Sequence, residues 1–123
     1  MADNKWHPPV SSLDAQIVWE NKTVVVTDTK LQIIYASSNM FNMNGYRPEE
    51  VIGKHPSMFQ GEATSESSRK KIRAAIQQCQ PFECEIINYK KNGSIYNCWI
   101  EGYPVFNVAG ELVNFIALEN SVN

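Results

Sequence analysis

The chain has 123 residues, of which 43% are hydrophobic and 11% aromatic, and its formal net charge is −2. This length and composition predict one globular domain with a modest core. The near-neutral charge argues against nucleic-acid binding, which requires a basic surface. No apolar run approaches the ~20 residues of a membrane span, so direct membrane insertion is not expected. We expect a cytoplasmic location, either free or within a membrane-associated receptor, with reduced cysteines.

Residues 1–22 are predicted to form an arm followed by a short cap helix. Ser11 or Ser12 is a suitable N-cap for this helix. Leu13, Ile17 and Val18 follow at helical spacing, so the helix would carry an apolar stripe that must lie against another surface.

The domain proper is expected over residues 23–123, with strands at both ends and helices in the middle. This order predicts an α+β domain with a five-stranded antiparallel sheet, helices on one face, and the cap helix or a partner on the other. The predicted strands are residues 23–27, 31–36, 82–91, 94–106 and 111–120, and the longest helix begins at residues 64–66 and ends before Pro81.

Several separated motifs closely resemble a PAS domain, from about Thr23 to Asn120. They read I-I-Y-A-S, N-G-Y-R-P-E-E-V-I-G-K and P-F-E-C-E-I-I-N-Y-K-K-N-G-S. Within that family, F-Q-G-x-x-T and I-R-A-A-I are similar to the flavin-binding light-oxygen-voltage (LOV) branch. The resemblance implies the PAS fold and a ligand between the long helix and the sheet.

The central stretch departs from the LOV pattern at its reactive position. Residues 53–60 read G-K-H-P-S-M-F-Q, where the family has G-x-N-C-R-F-L-Q. Pro56 therefore occupies the position of the cysteine that forms the photoadduct with flavin, and a proline has no thiol. Ser57 replaces an arginine that pairs with the flavin phosphate. His55 is interpreted as a capping or surface residue, because a lone histidine is weak evidence for a metal ligand.

Other positions of the LOV flavin site are retained or altered here. The resemblance places Asn88 at the pyrimidine edge of the ring, and Gln60 and Arg73 at ligand-facing positions. Cys98 occupies the position of a second family asparagine, and Glu119 that of the glutamine that reads the flavin N5 atom. These matches imply FMN or FAD as cofactor, with an empty or differently filled core as the alternative.

The outward face of the predicted strand 94–106 suggests an interaction surface. If Cys98 points inward, then Trp99, Glu101 and Tyr103 point outward, because side chains alternate along a strand. Two large aromatics there need a cover. Either the cap helix, through Ile17 and Val18, or a second copy in a homodimer would provide it.

No catalytic constellation or nucleotide-binding glycine motif is present in the sequence, so we expect a sensor domain and not an enzyme. The function predicted is a sensory or regulatory PAS module that binds a small ligand or flavin and signals through dimerisation and the outer sheet face. Two alternatives stay open: a ligand-free dimerisation module, and an FAD-based redox or oxygen sensor of the aerotaxis type. A catalytic output, such as a histidine kinase or diguanylate cyclase, would lie on an effector domain or partner protein.

Overall fold

A computed structural model describes residues 22–122, and within them are five strands, three α-helices and one 3₁₀ helix. The predicted arm and cap helix, with Leu13, Ile17 and Val18, lie outside the described residues. The elements in chain order are β1 (Thr23–Thr27), β2 (Ile33–Ala36), α1 (Met40–Asn44), α2 (Pro48–Val51), the 3₁₀ helix (Pro56–Phe59), α3 (Glu66–Gln77), β3 (Phe82–Tyr89), β4 (Ile95–Phe106) and β5 (Leu112–Val122).

The strands form one antiparallel sheet in the order β2-β1-β5-β4-β3. The first and last strands are central neighbours, with Val25 opposite Ala117. The meander of β3, β4 and β5 then extends the sheet to one side, with Cys98 opposite Ile86 and Ser121. The predicted α+β fold with a five-stranded antiparallel sheet is confirmed.

The two faces of the sheet are covered differently. On the inner face, α1, α2 and the 3₁₀ helix supply Met40, Val51 and Phe59, which pack against Val25 and Ile33. A second inner cluster joins Met43 of α1 and Ile72 of α3 to side chains of β3 and β4. The described helical residues of the core therefore gather on one face, as predicted. The outer face carries a separate aliphatic cluster of Val24, Val26, Val105, Ile116 and Leu118.

The segment that leads into the 3₁₀ helix is tied to the edge strand β2. The backbone N–H of Gly53 donates to Ile33 O at 2.7 Å, and the N–H of Ile33 donates to Lys54 O at 2.8 Å. Gly53 has a φ of 84°, which glycine adopts without a steric cost. His55 Nδ1 then accepts from the backbone N–H of Ser57 at 3.0 Å. The structure thus confirms His55 as a capping residue.

The F-Q-G-x-x-T motif fastens the other end of the 3₁₀ helix to β3. Thr64 Oγ1 accepts from the N–H of Gly61 at 3.0 Å and donates to Ile87 O at 2.7 Å. The hydroxyl of Tyr89 accepts from the N–H of Ala63 at 2.8 Å, and its ring lies against Gly61. A Cβ atom at position 61 would overlap that ring. The motif therefore requires glycine for close approach and threonine for two hydrogen bonds.

Helix α3 is capped at both ends. Ser65 Oγ accepts from the N–H of Ser68 at 3.1 Å, as an N-cap does. At the other end the N–H groups of Cys79 and Gln80 donate back to the last turn, and Cys79 takes the left-handed conformation with φ 53°. This is the geometry of a helix C-terminus in which glycine is the usual residue.

Candidate functional site

A cavity of about 90 Å³ lies between α3, the 3₁₀ helix and the inner face of the sheet. One of its walls is formed by strands and the other by helical segments. The strand wall includes Val25, Thr27, Asn88, Ile100, Phe115, Ala117 and Glu119, and the helical wall includes Pro56, Phe59, Gln60, Ile72 and Ile76.

The strand wall contains three buried polar side chains. Asn88 and Glu119 are buried, at 3% and 7% exposure. Thr27 Oγ1 is also buried and has no hydrogen-bond partner among the described residues. A buried hydroxyl, a buried amide and a buried carboxyl thus face the same cavity. Each of the three can hydrogen-bond a ligand, and buried groups without partners are costly.

Glu119 is a carboxyl group in an apolar surrounding. Desolvation raises the pKa of Glu119 to about 7, against a partial offset from the hydrogen bond with Cys98. The Cys98 Sγ to Glu119 Oε1 distance is 3.6 Å. Burial, together with the neighbouring carboxyl, also raises the pKa of the Cys98 thiol. As the pH falls through about 7, Glu119 therefore becomes an uncharged acid that can donate as well as accept a hydrogen bond.

Tyr96 extends this polar region behind the cavity. Burial raises the pKa of Tyr96, while the amides of Asn88 and Asn44 lie close enough to favour its ionised form. Its hydroxyl nevertheless makes no hydrogen bond of normal geometry among the described residues. The Asn88 amide therefore stands between the cavity and a buried hydroxyl.

Apart from Gln60, the residues named above for the helical wall are apolar, and none of them is a nucleophile. Pro56 begins the 3₁₀ helix and lines the cavity, and Phe59 beside it is buried. Ile72 and Ile76 of α3 are only half-buried because they face the cavity and the adjoining groove. Pro56, which the resemblance places at the position of the LOV cysteine, therefore contributes apolar surface and no reactive group to the cavity.

A groove of about 330 Å³ adjoins the cavity and shares Leu31, Gln60, Ile72 and Ile76 with it. Its far end carries Arg69 and Arg73, which lie one helical turn apart on α3. Arg69 donates to Gln60 Oε1 at 3.1 Å and to Gly61 O at 2.7 Å. An apolar cavity thus continues into a groove with two guanidinium groups, which are suited to an anionic group.

Most of the residues that the resemblance assigned to the ligand site lie at the cavity or the groove. Asn88, Gln60, Glu119 and Pro56 line the cavity, and exposed Arg73 lines the groove. Cys98 is not among the lining residues, and it lies fully buried beside Glu119.

Arg69 was not singled out in the sequence. It lies four residues before Arg73, and this spacing places both side chains on one face of the predicted helix, so the sequence could have indicated it.

On the outer face Glu101 is the centre of a hydrogen-bond network. Trp99 Nε1 donates to Glu101 Oε2 at 3.1 Å, and the Tyr103 hydroxyl donates to Oε1 at 3.1 Å. The ammonium of Lys22 lies 2.9 Å from Oε2, and its hydrogen bond holds the pKa of Glu101 below its usual range. Trp99, Glu101 and Tyr103 share one face, as the alternation predicts. Lys22 was not anticipated.

The comparisons with known proteins agree with this architecture. A PAS domain family model matches residues 21–122. "Protein TWIN LOV 1" of Arabidopsis thaliana is 36% identical over 88 residues, which cover 71% of this chain and 22% of that protein. Phototropin-2 of Oryza sativa subsp. japonica is 32% identical over 105 residues, covering 83% of this chain and 12% of that protein. A blue-light-activated histidine kinase of Brucella abortus (strain 2308) is 31% identical over 90 residues, covering 73% and 18%.

Solved structures show the same fold. A light-oxygen-voltage domain studied with a flavin analogue superposes with a TM-score of 0.83 at 23% identity, covering 90% of this chain and 84% of that one. The light-state structure of the blue-light photoreceptor Aureochrome1 LOV gives a TM-score of 0.80 at 24% identity, covering 91% and 90%.

The chain belongs to the PAS domain family, and these homologues and structural neighbours are LOV domains. It is a sensor domain that spans about a fifth or less of the length of these curated relatives. In the relative named as a histidine kinase, most of the protein lies outside the matched region. None of the helices in residues 22–122 has the length and hydropathy of a transmembrane segment.

Proposed function

We propose that the chain is a sensory PAS module that binds a flavin nucleotide between α3 and the sheet. One observation carries the proposal: an apolar cavity with a buried amide and a buried carboxyl on one wall opens into a groove with two arginines. A flavin nucleotide has the matching parts, namely a flat ring with apolar faces, one hydrogen-bonding edge and an anionic tail.

The cavity residues fit the ring. Phe59, Ile72 and Ile76 offer apolar contact to its faces. The Asn88 amide can both donate and accept, as the pyrimidine edge requires. Glu119 in its neutral form has the same double capacity, so it replaces a glutamine without leaving a buried charge.

The groove residues fit the tail. Arg69 is already oriented by its bonds to Gln60 and Gly61, and Arg73 is exposed on the same side of α3. Their positive charges take the place of the charge of the family arginine whose position Ser57 occupies. Cavity and groove together come within the ~300–1,000 Å³ range of small-molecule sites.

The chain's own residues restrict what a bound flavin would do. A flavin supplies absorption of blue light and redox chemistry when bound. Pro56 on the helical wall has no thiol, so the cysteine chemistry of LOV domains is excluded at this position. The buried Cys98 does not line the cavity. The sensing step therefore depends on changes in charge or hydrogen bonding at the strand wall, around Asn88 and Glu119.

Signal output through the outer sheet face is part of the proposal. β5 carries Glu119 toward the cavity and Asn120 toward the outer network, one residue apart. In this proposal a change at Glu119 reaches the surface through its neighbour on the same strand. A homodimer through this face, and an effector domain or partner that reads it, remain predictions.

The test is the visible absorption spectrum of the gently purified full chain, followed by denaturation and identification of any released FMN or FAD. We expect a blue absorption band, and Asn88→Ala should weaken flavin retention by about tenfold or more through loss of a buried hydrogen bond. Asn97→Ala is the matched control, because Asn97 is exposed on β4.

Each outcome of this experiment has a defined meaning. A colourless protein that takes up neither FMN nor FAD on refolding would reject the flavin proposal and favour a ligand-free interaction module. Release of FAD would favour the redox-sensor alternative over an FMN-binding domain. Equal retention by the Asn88 and Asn97 variants would show that the ring does not lie against Asn88.

A further inference from the structure

The Phe82 ring fills the place of the side chain that Gly102 lacks. The two residues lie directly opposite each other on β3 and β4, and both line the cavity on the inner face of the sheet. A Cβ atom at position 102 would overlap the Phe82 ring. The ring therefore rests on the bare backbone of Gly102 and occupies space at that end of the cavity.

A second groove lies beyond this ring. It has a volume of about 410 Å³ and shares two side chains with the cavity, Phe82 and Tyr103. The Tyr103 hydroxyl is held by its hydrogen bond to Glu101 at 3.1 Å. Phe82 is half-buried, has no polar group to anchor it and is the first residue of its strand. Of the two shared side chains, Phe82 is thus the one that is free to turn aside.

The two grooves flank the cavity on opposite sides of α3. Successive positions on a helix turn by about 100°, so Ile72 and Ile76 form one stripe, with the arginine pair on one side of it and Lys71 and Ala75 on the other. The arginines line the first groove, and Lys71 and Ala75 line the second. The cavity therefore meets one groove on each flank of the helix.

The cavity is small for a ligand with fused rings. Its volume is about 90 Å³, whereas an apolar cavity of ~150 Å³ holds a single benzene ring. We propose that Phe82 is a gate that sets the size of the ligand this site accepts. When its ring turns away from Gly102, the cavity joins the second groove and admits a flat aromatic ligand wider than one ring. The gate rests on the proposed function, in that it requires a ligand in the cavity.

Gly102 offers a way to hold the gate open. The atoms that a new Cβ would meet, Cε1, Cζ and Cδ1, belong to the Phe82 ring and not to the backbone. A change of rotamer can therefore relieve the overlap while the strands stay in place. In the wild type the open form is a minority, and the affinity for a large ligand is reduced by that fraction. Gly102→Ala removes this reduction.

The experiment measures the binding of N-phenylnaphthylamine, a neutral aromatic dye that fluoresces in apolar sites, to the full chain freed of small molecules by unfolding and refolding. Gly102→Ala and Phe82→Ala should each bind the dye at least about tenfold more tightly than the wild type. The double variant should bind no more tightly than Phe82→Ala alone, because no ring remains to be displaced. Phe106→Ala is the matched control, since it removes an exposed phenylalanine from the same strand, and it should bind as the wild type does.

Two further measurements show where the dye binds. Urea unfolding with an unchanged dependence on urea concentration provides the control for folding. Ile76→Trp, added to Gly102→Ala, fills the cavity and should remove the gain in affinity.

Three results would overturn the gate. They are a Gly102→Ala variant that binds no more tightly than the wild type, a gain that persists with Ile76→Trp, and a double variant that binds more tightly than Phe82→Ala alone. The dye assay needs no flavin. A protein that shows the gain but takes up no flavin would therefore reject the flavin proposal and leave the gate in place.

Discussion

The two walls of the cavity differ in the kind of side chain that they present. The strand wall carries a buried amide, a buried carboxyl and a buried hydroxyl, at Asn88, Glu119 and Thr27. The helical wall carries Pro56, Phe59 and two isoleucines, and its polar side chain, Gln60, accepts a hydrogen bond from Arg69 of the adjoining groove. In the proposed complex the strands therefore hold the hydrogen-bonding edge of the ring, while the helical side supplies apolar contact and, through the groove, positive charge.

This division follows from how each wall is held. The strand wall is fixed by the hydrogen-bonded ladders of β3, β4 and β5, which hold buried polar groups at set positions. The helical wall is held by a few local devices: the His55 cap, Gly61 beneath Tyr89, and the left-handed turn at Cys79. Substitutions in the strand wall should therefore change how stability depends on pH, whereas substitutions around the helical wall should change packing and backbone strain.

The largest effect is expected from Glu119→Gln, and it depends on pH. The folded-state pKa of about 7 exceeds the ordinary 4.5, so between these values the native state binds more protons than the unfolded state. Rising pH therefore destabilises the wild type across this window, by up to about 3 kcal/mol, and the variant lacks this loss. Urea unfolding should show the variant gaining stability relative to wild type as the pH rises from 4.5 to above 7.

Glu85→Gln is the control for that experiment, because Glu85 is exposed on β3. It removes one glutamate charge from the surface and so gives the reference for the same substitution outside the cavity. A Glu119 variant that behaves like the Glu85 variant would mean that Glu119 stays ionised when folded, and the strand wall would then carry a charge.

The next effect concerns the helical wall. Gly61→Ala should cost about 2 kcal/mol, because the new Cβ overlaps the Tyr89 ring, which is anchored through its hydroxyl to Ala63. The same substitution in a Tyr89→Leu background should cost clearly less. An equal cost in both backgrounds would show that the ring is not the obstacle.

The smallest effect is a stabilisation at the end of α3. Cys79 has a φ of 53°, so Cys79→Gly should raise the unfolding free energy by about 1 kcal/mol. Cys79→Ala removes the thiol but keeps the strained backbone, so it should give no such gain. If thermal unfolding shows Cys79→Ala to be as stable as Cys79→Gly, the gain in stability comes from removal of the thiol and not from the backbone conformation.

Much of the fold could be predicted from local patterns. The β-branched run at Thr23–Thr27, the Asn92-Gly93 hairpin signal and Pro81 after the long helix each predicted an element that the structure contains. The placement of Asn88 and Glu119 on one wall followed from the family resemblance together with strand alternation.

Other features depend on contacts across the fold and carry no local signal. Nothing near Lys22 indicates that its ammonium meets Glu101, 79 positions away. Strand alternation predicts that Cys98 points inward, but not that it lies buried beside Glu119 and outside the cavity lining. The helical pattern likewise predicts an inner stripe, but not that Ile72 and Ile76 are only half-buried beside a cavity.

The most direct test of the account is the blue absorption band of wild type and Pro56→Cys before and after blue light. Both proteins should carry bound flavin, and only the variant should lose its band in light and recover it in the dark, because a thiol would then face the ring from the helical wall. A wild-type protein with no band, or a flavin-loaded Pro56→Cys variant that light leaves unchanged, would contradict the proposed position of the ligand between the two walls.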